Sequence, residues 1–227
     1  MLKLVIGNKN YSSWSMRPWL QLRESGIAFE EVRIALFSGD GWRQELASFT
    51  PSGKVPVLLD GDLPIWDSLA ICEYVREKDA RAIGWPTDAA ARGVARALAA
   101  EMHSGFQALR NELPMNIRAR RVLEVDDLSE ACRTDIARID TLWCSARQRY
   151  GAEGPWLFGQ LSIADLMYVP VATRFVTYGI AVSAEAQRFI EAVYGLASFR
   201  SWAADAAAET ERLDFVDQLQ PYPKSRD

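Results

Sequence analysis

Cysteine and histidine are scarce in this 227-residue chain. Cys72, Cys132 and Cys144 are the only three cysteines and His103 is the one histidine. An odd number of widely spaced cysteines argues against a disulfide framework and for a reducing compartment. No His/Cys/Asp group has zinc-site spacing, so no metal is expected. Also missing are a Gly-x-Gly-x-x-Gly or phosphate loop and a nucleophile-elbow serine, which removes the strongest signals for nucleotide binding and for a Ser-His-Asp hydrolase. No apolar run is long enough to span a membrane. No charged segment followed by a long apolar one opens the chain, so neither a membrane partner nor a secretory signal is expected, and a cytoplasmic location is. The formal net charge of −4 offers no general attraction for nucleic acid. The single basic run, Arg118, Arg120 and Arg121, reads as a solvated helix end, with steering of an anionic ligand as the alternative. Internal repeats and low-complexity stretches are absent.

Apolar residues are plentiful, at 49%. They suffice for the core of one large domain or two small ones. Residues 2–6 read as a short buried strand, and Met16 to Ser25 as a helix ended by Gly26. Ala28 to Ile34 reads as a second strand, which makes a right-handed strand–helix–strand crossover. Trp42 to Phe49 is expected to be a short irregular helix. Strands 56–60 and 63–66 flank the hairpin signal Asp60-Gly61-Asp62. A helix then runs from Asp67 or Ser68 to about Lys78. After Lys78 the texture changes. Residues 79–88 read as a linker, and beyond it helical patterns cover roughly 87–112, 127–149, 162–178, 183–194 and 198–210. The Pro-rich tail from Pro221 is too polar for a helix. Ser162-x-x-Asp165 is a capping-box variant, with Leu161 and Leu166 spaced as a hydrophobic staple.

The stretch Pro51 to Ser68 carries the chemistry. Pro56 stands at the mouth of the apolar run Val57-Leu58-Leu59, where proline cannot donate to a sheet ladder. A cis Val55–Pro56 bond accounts for it and would turn the backbone groups of Val55 toward an extended peptide. Asp67-Ser68 opens a helix whose N-terminus, with a hydroxyl and N–H groups, suits a carboxylate. Singly, these are also what an ordinary edge-strand proline and an ordinary N-cap look like. Together, at this spacing, they point to a site for a peptide that bears a carboxylate.

These residues resemble the glutathione site of the cytosolic glutathione transferases, and the resemblance extends over essentially the whole chain. Within the family, the resemblance is to bacterial, serine-type members of zeta- or tau-like character. The resemblance implies a thioredoxin-like α/β domain at residues 1–78, a linker at 79–88 and an all-α domain at 89–227 that contributes the electrophile pocket. It implies that Val55, before a cis Pro56, bonds the cysteinyl backbone of glutathione. Asp67 and Ser68, where the family more often has Glu-Ser, would hold the γ-glutamyl end. Lys54 would pair with the glycyl carboxylate, and Trp42 and Gln44 would line the same end. The string Ser12-Ser-Trp-Ser-Met-Arg17 resembles the serine elements of the zeta and tau-like classes, anchored on Arg17. That register puts the thiol-activating hydroxyl on Ser12, with Ser13 the neighbouring choice. Trp14 stands where the zeta class has cysteine, which argues against isomerase chemistry of that type, and no cysteine near the turn supports thiol–disulfide exchange. Trp14, His103, Arg110 and Met115, with Asn116, are the expected pocket for a hydrophobic or anionic electrophile. The implied function is glutathione transfer in detoxification, by a homodimer that uses glutathione as cosubstrate and no metal. A glutathione-dependent isomerase or peroxidase, or a non-catalytic binding or regulatory protein on the same scaffold, are the alternatives.

Overall fold

The structure is a computed structural model and describes residues 1–218. The chain is a thioredoxin-like N-terminal domain followed by a helical region. Strand β1 (Leu2–Ile6), helix α1 (Ser13–Glu24) and strand β2 (Phe29–Arg33) form the crossover. A short helix α2 (Trp42–Ala47) leads to β3 (Val57–Asp60), β4 (Leu63–Trp66) and α3 (Ser68–Lys78). The sheet order is β2-β1-β3-β4, with β1 parallel to β2 and the other pairs antiparallel. Val5, Ile34, Leu46 and Val57 form one core cluster, and the partly buried Val32, Leu36, Trp42, Phe49, Val55 and Leu59 pack against it. Met16, Leu20, Ile71 and Val75 are buried on the helices α1 and α3, which pack together.

The helical region holds α4 (Ala89–Ser104), α5 (Gln107–Glu112), α6 (Glu130–Tyr150), α7 (Ile163–Tyr178), α8 (Ala184–Gly195), α9 (Ala197–Ala208) and α10 (Asp214–Asp217). A 3-10 turn, Val125–Asp127, precedes α6. Helix α7 is buried on almost every side, and α4 and α8 pack on it. Trp143 of α6 sits against Tyr168, Phe175 and Phe189, with ring centroids 4.7–5.7 Å apart. The capping box forms: Asp165 accepts from the Ser162 N–H at 2.8 Å and also from the Leu157 N–H at 2.8 Å.

The chain divides into two compact units. One joins residues 1–84 with 196–213, and the other holds 85–195 with residues 214–218. In the first unit, α9 packs on α1. The start of the expected linker is tied down there too. Gln21 Nε2 donates to the carbonyls of Cys72 (2.9 Å) and Ile83 (2.7 Å), and the Ile83 N–H donates to Ser25 Oγ at 2.9 Å.

Three helical boundaries differ from the sequence reading. Helix α1 begins at Ser13, ahead of Met16, so Pro18 lies inside it and not in its first turn. The turn before it explains the early start: the Ser12 N–H donates to the Asn8 carbonyl at 2.8 Å, and the Ser12 carbonyl accepts from Met16 at 3.3 Å. The pattern 87–112 is broken into α4 and α5, because Gly105 is extended and Phe106 is left-handed (φ 57°, ψ 45°). Helix α10 was not anticipated. The tail from Pro221 lies outside the described residues.

Candidate functional site

Sheet register gathers the singled-out residues of the N-terminal unit. Val5 faces Val57, and Val57 faces Trp66. The end of β1, the start of β3 and the end of β4 therefore share one end of the sheet. From it leave the turn to Ser12, the Val55–Pro56 step and the Asp67-Ser68 start of α3. A hydrogen bond across the two helices, Arg17 Nη1 to Ser68 Oγ at 3.4 Å, ties the first and third of these together.

Ser12 is the N-cap residue of α1 and is half-buried; Ser13 is the first helical residue and is buried. The Ser12 hydroxyl donates to Ser15 Oγ at 2.8 Å, and Ser15 Oγ accepts from the Gly7 N–H at 3.1 Å. Ser15 is fully buried. Sequence reasoning did not single it out, although its spacing from Ser12 across one turn was visible. Gly7 has a steric role. A Cβ there would lie 2.5 Å from Leu36 Cδ1 and 3.2 Å from Ser12 Cβ. Trp14 is half-buried, with the Arg17 guanidinium 4.2 Å from its ring centroid.

The Val55–Pro56 bond is cis, and both residues precede the first ladder position, Val57. Lys54 is exposed, and its backbone is held by Ser52 Oγ. Trp42 is half-buried and Gln44 exposed. Asp67 has a φ of 77°, a conformation that a non-glycine residue holds only against a steric cost. Its Oδ1 caps α3 by accepting from the N–H groups of Leu69 (2.9 Å) and Ala70 (3.2 Å). Ser68 is 1% exposed.

The cysteines are free thiols. Burial pushes the Cys72 thiol well above its ordinary range and the Cys132 thiol up to about 12, so neither supplies a thiolate at neutral pH. Among the described residues, no group of three or more His, Cys, Asp or Glu side chains is placed to hold a metal, and no helix is long and apolar enough to cross a membrane.

In the helical unit, His103 sits near the end of α4 and is half-buried. Arg110 does not continue its face, because the chain turns at Gly105. Its Nε donates to the Gly105 carbonyl at 2.9 Å and its Nη2 to the Met102 carbonyl, which closes the corner between α4 and α5. Met115 is buried. Asn116 Nδ2 donates to Asp217 Oδ1 at 2.8 Å.

Known proteins resemble this chain in sequence and fold. Residues 11–78 match the family described as glutathione S-transferase, N-terminal domain. Glutathione S-transferase F10 of Arabidopsis thaliana is 42% identical over 64 residues, 28% of this chain and 30% of that protein. Glutathione S-transferase 1 of Dianthus caryophyllus is 32% identical over 129 residues, 57% of this chain and 58% of that protein. The chain thus matches less than two thirds of the length of either relative. A solved glutathione transferase homologue from Burkholderia, with bound glutathione, has the same fold with a TM-score of 0.68, at 23% identity over 92% of this chain and 99% of that one. Residues 11–78 thus match the glutathione S-transferase N-terminal domain family, and the chain adopts the fold of solved glutathione transferases along most of its length.

Proposed function

We propose that the protein is a glutathione transferase in which Ser12 stabilises the glutathione thiolate for attack on an electrophilic small molecule. The observation that carries this reading is the shared sheet end: a half-exposed N-cap hydroxyl, a cis Val55–Pro56 step and a strained Asp67 before Ser68 lie at the same ends of three neighbouring strands. Val55 offers its backbone to the cysteinyl residue, Ser68 and Asp67 take the γ-glutamyl end, and Lys54 takes the glycyl carboxylate. The half-buried Ser12 is favoured over Ser13, whose residue is only 6% exposed.

The hydroxyl network supports a thiolate role. A hydroxyl rotates, so Ser15 can turn to donate to Ser12 while its own oxygen still accepts from the Gly7 N–H. Ser12 then gives its proton outward to sulfur. A donor backed by such a chain is strengthened by it, and the N-terminus of α1 adds its positive end. One charge-assisted bond of about 1.5–3 kcal/mol supplies about one to two units of thiol pKa depression. On family resemblance the second substrate is a hydrophobic or anionic electrophile, and the assembly is a homodimer.

The test is a thiolate absorbance titration of glutathione bound to the parent, Ser12→Ala and Ser13→Ala proteins. Ser12→Ala should raise the bound thiol pKa by about one to two units and lower the rate at neutral pH by about tenfold to a hundredfold, with glutathione affinity nearly unchanged. A shift in Ser13→Ala alone would move the role one residue. No shift in either variant would rule out hydroxyl activation and leave a binding protein, or a thiolate activated by backbone alone, as the better account.

A further inference from the structure

We propose that Glu209, in the chain just after α9, is a positioning residue that fixes the turn carrying Ser12. The inference rests on reading Ser12 as the thiolate donor. The turn Asn8–Ser12 is closed from within by the Asn8 carbonyl, which accepts from Tyr11 (3.2 Å) and Ser12 (2.8 Å). The N–H groups of Lys9 and Asn10 point the other way. They donate to the two carboxylate oxygens of Glu209, at 2.6 Å and 3.0 Å. Both turn residues are buried, Lys9 at 4% and Asn10 at 0% exposure, so loss of the carboxylate would orphan two amides away from water.

The rest of the segment grips the same turn. The Lys9 carbonyl accepts from Trp202 Nε1 at 2.9 Å. The Lys9 ammonium bridges Asp205 (2.6 Å) and Glu31 (2.8 Å) and stands 4.9 Å from the Trp19 ring centroid and 5.4 Å from that of Trp202. The Tyr11 hydroxyl donates to the Glu211 carbonyl at 3.4 Å. One lysine is thus held at its amide, its carbonyl and its side chain by residues some 200 positions away. Arg33 pairs with Glu209 at 3.5 Å and Glu211 at 2.8 Å, which offsets part of the clamp's negative charge. The backbone that enters Ser12 therefore has no freedom to swing while Glu209 is bound, and the Ser12 hydroxyl keeps the position from which it meets Ser15 and a ligand sulfur.

The experiment compares full-length Glu209→Ala, Glu209→Gln and Glu24→Ala. Glu24 accepts from the Ser198 N–H at 3.0 Å and anchors the opposite end of α9, so its variant loosens α9 without touching the turn. Two quantities are read: amide hydrogen exchange at Lys9 to Ser13 without ligand, and the pKa of the bound glutathione thiol beside Ser12→Ala. Glu209→Ala should speed exchange at Lys9, Asn10 and Ser12 by about tenfold or more and raise the thiol pKa by about half to one unit. Glu209→Gln, which keeps one acceptor, should fall between it and the parent, and Glu24→Ala should match the parent. Unchanged exchange in Glu209→Ala overturns the proposal. So do equal effects in Glu24→Ala, or faster exchange with an unmoved thiol pKa while Ser12→Ala shifts it. If Ser12→Ala leaves the pKa unmoved, the catalytic reading of Ser12 fails, and the exchange rates alone decide whether Glu209 holds the turn.

Discussion

At the scale of single residues, Gly7 sets how closely Ser12 approaches the sheet. Its φ is ordinary, and the constraint is space: an added methyl meets Leu36 Cδ1 at 2.5 Å and Ser12 Cβ at 3.2 Å. The leucine end can rotate away, whereas the Ser12 Cβ sits on the backbone of the turn. Gly7→Ala is therefore expected to cost only about 1–3 kcal/mol of stability, the usual range for overpacking. It should displace the Ser12 hydroxyl by a few tenths of an ångström. The larger effect should be on kcat, with KM for glutathione changed less, because in the proposed binding mode Val55 and Ser68 hold the peptide elsewhere. Steady-state kinetics and urea denaturation of the variant check both halves. An unaltered kcat would mean that the hydroxyl tolerates the shift. What the sequence disclosed at this scale was local chemistry: Pro56 before a strand and Asp67-Ser68 before a helix are each ordinary taken singly, and it is their spacing together that drew attention to this stretch. Ser15 stayed hidden among three serines, because only the Gly7 N–H identifies which of them is buried as a partner.

At the scale of elements, helix α7 depends on its N-terminal box. The Asp165 carboxylate accepts from two N–H groups and the Ser162 hydroxyl, yet it is entirely buried, and burial pushes its carboxyl from 3.8 up to about 6. Its folded pKa thus lies above the unfolded one, and between the two the native state binds the extra proton. From this group alone stability is greatest below about pH 4, declines as pH rises toward about 6 and is level above that. A rise of about two units corresponds to about 3 kcal/mol. Urea denaturation of the parent and Asp165→Asn between pH 4.5 and 7.5 should show that component in the parent only; parallel pH profiles would refute the assignment. The Ser162-x-x-Asp165 spacing made this helix start readable from sequence because a capping box is contained within one turn. The break between α4 and α5 was not readable. Gly105 and Phe106 interrupt a pattern whose apolar spacing continues across them, and the left-handed Phe106, 7% exposed, is stabilised by tertiary burial that no local signal reports.

At the scale of the whole molecule, the chain's order differs from its packing. Residues 196–213 belong to the compact unit of residues 1–84, although a whole helical unit separates them in sequence. The amphipathic pattern at 198–210 announced a helix but not its destination, since the contacts that settle it, such as Trp202 to Lys9, span 193 positions. Trp202 and Phe199 are buried, and the Trp202 ring meets Trp19 edge-on with centroids 5.1 Å apart. Truncating a buried tryptophan or phenylalanine costs about 3–5 kcal/mol, against a total domain stability of about 5–15 kcal/mol. Ending the chain after Gly195 removes both rings, uncovers Trp19 and leaves the buried N–H groups of Lys9 and Asn10 without Glu209. The loss is then comparable with the stability available to the N-terminal unit. A chain of residues 1–195 is therefore expected to lose near-ultraviolet circular dichroism from Trp19 and, with it, the proposed glutathione binding, while full-length Trp202→Ala stays folded with a lowered Tm. Calorimetry and thermal melts of the two proteins provide the measurement. If the 1–195 chain melted within a few degrees of the parent and bound glutathione with parental affinity, the returning helix would be an accessory to the thioredoxin-like domain and not part of what holds it together.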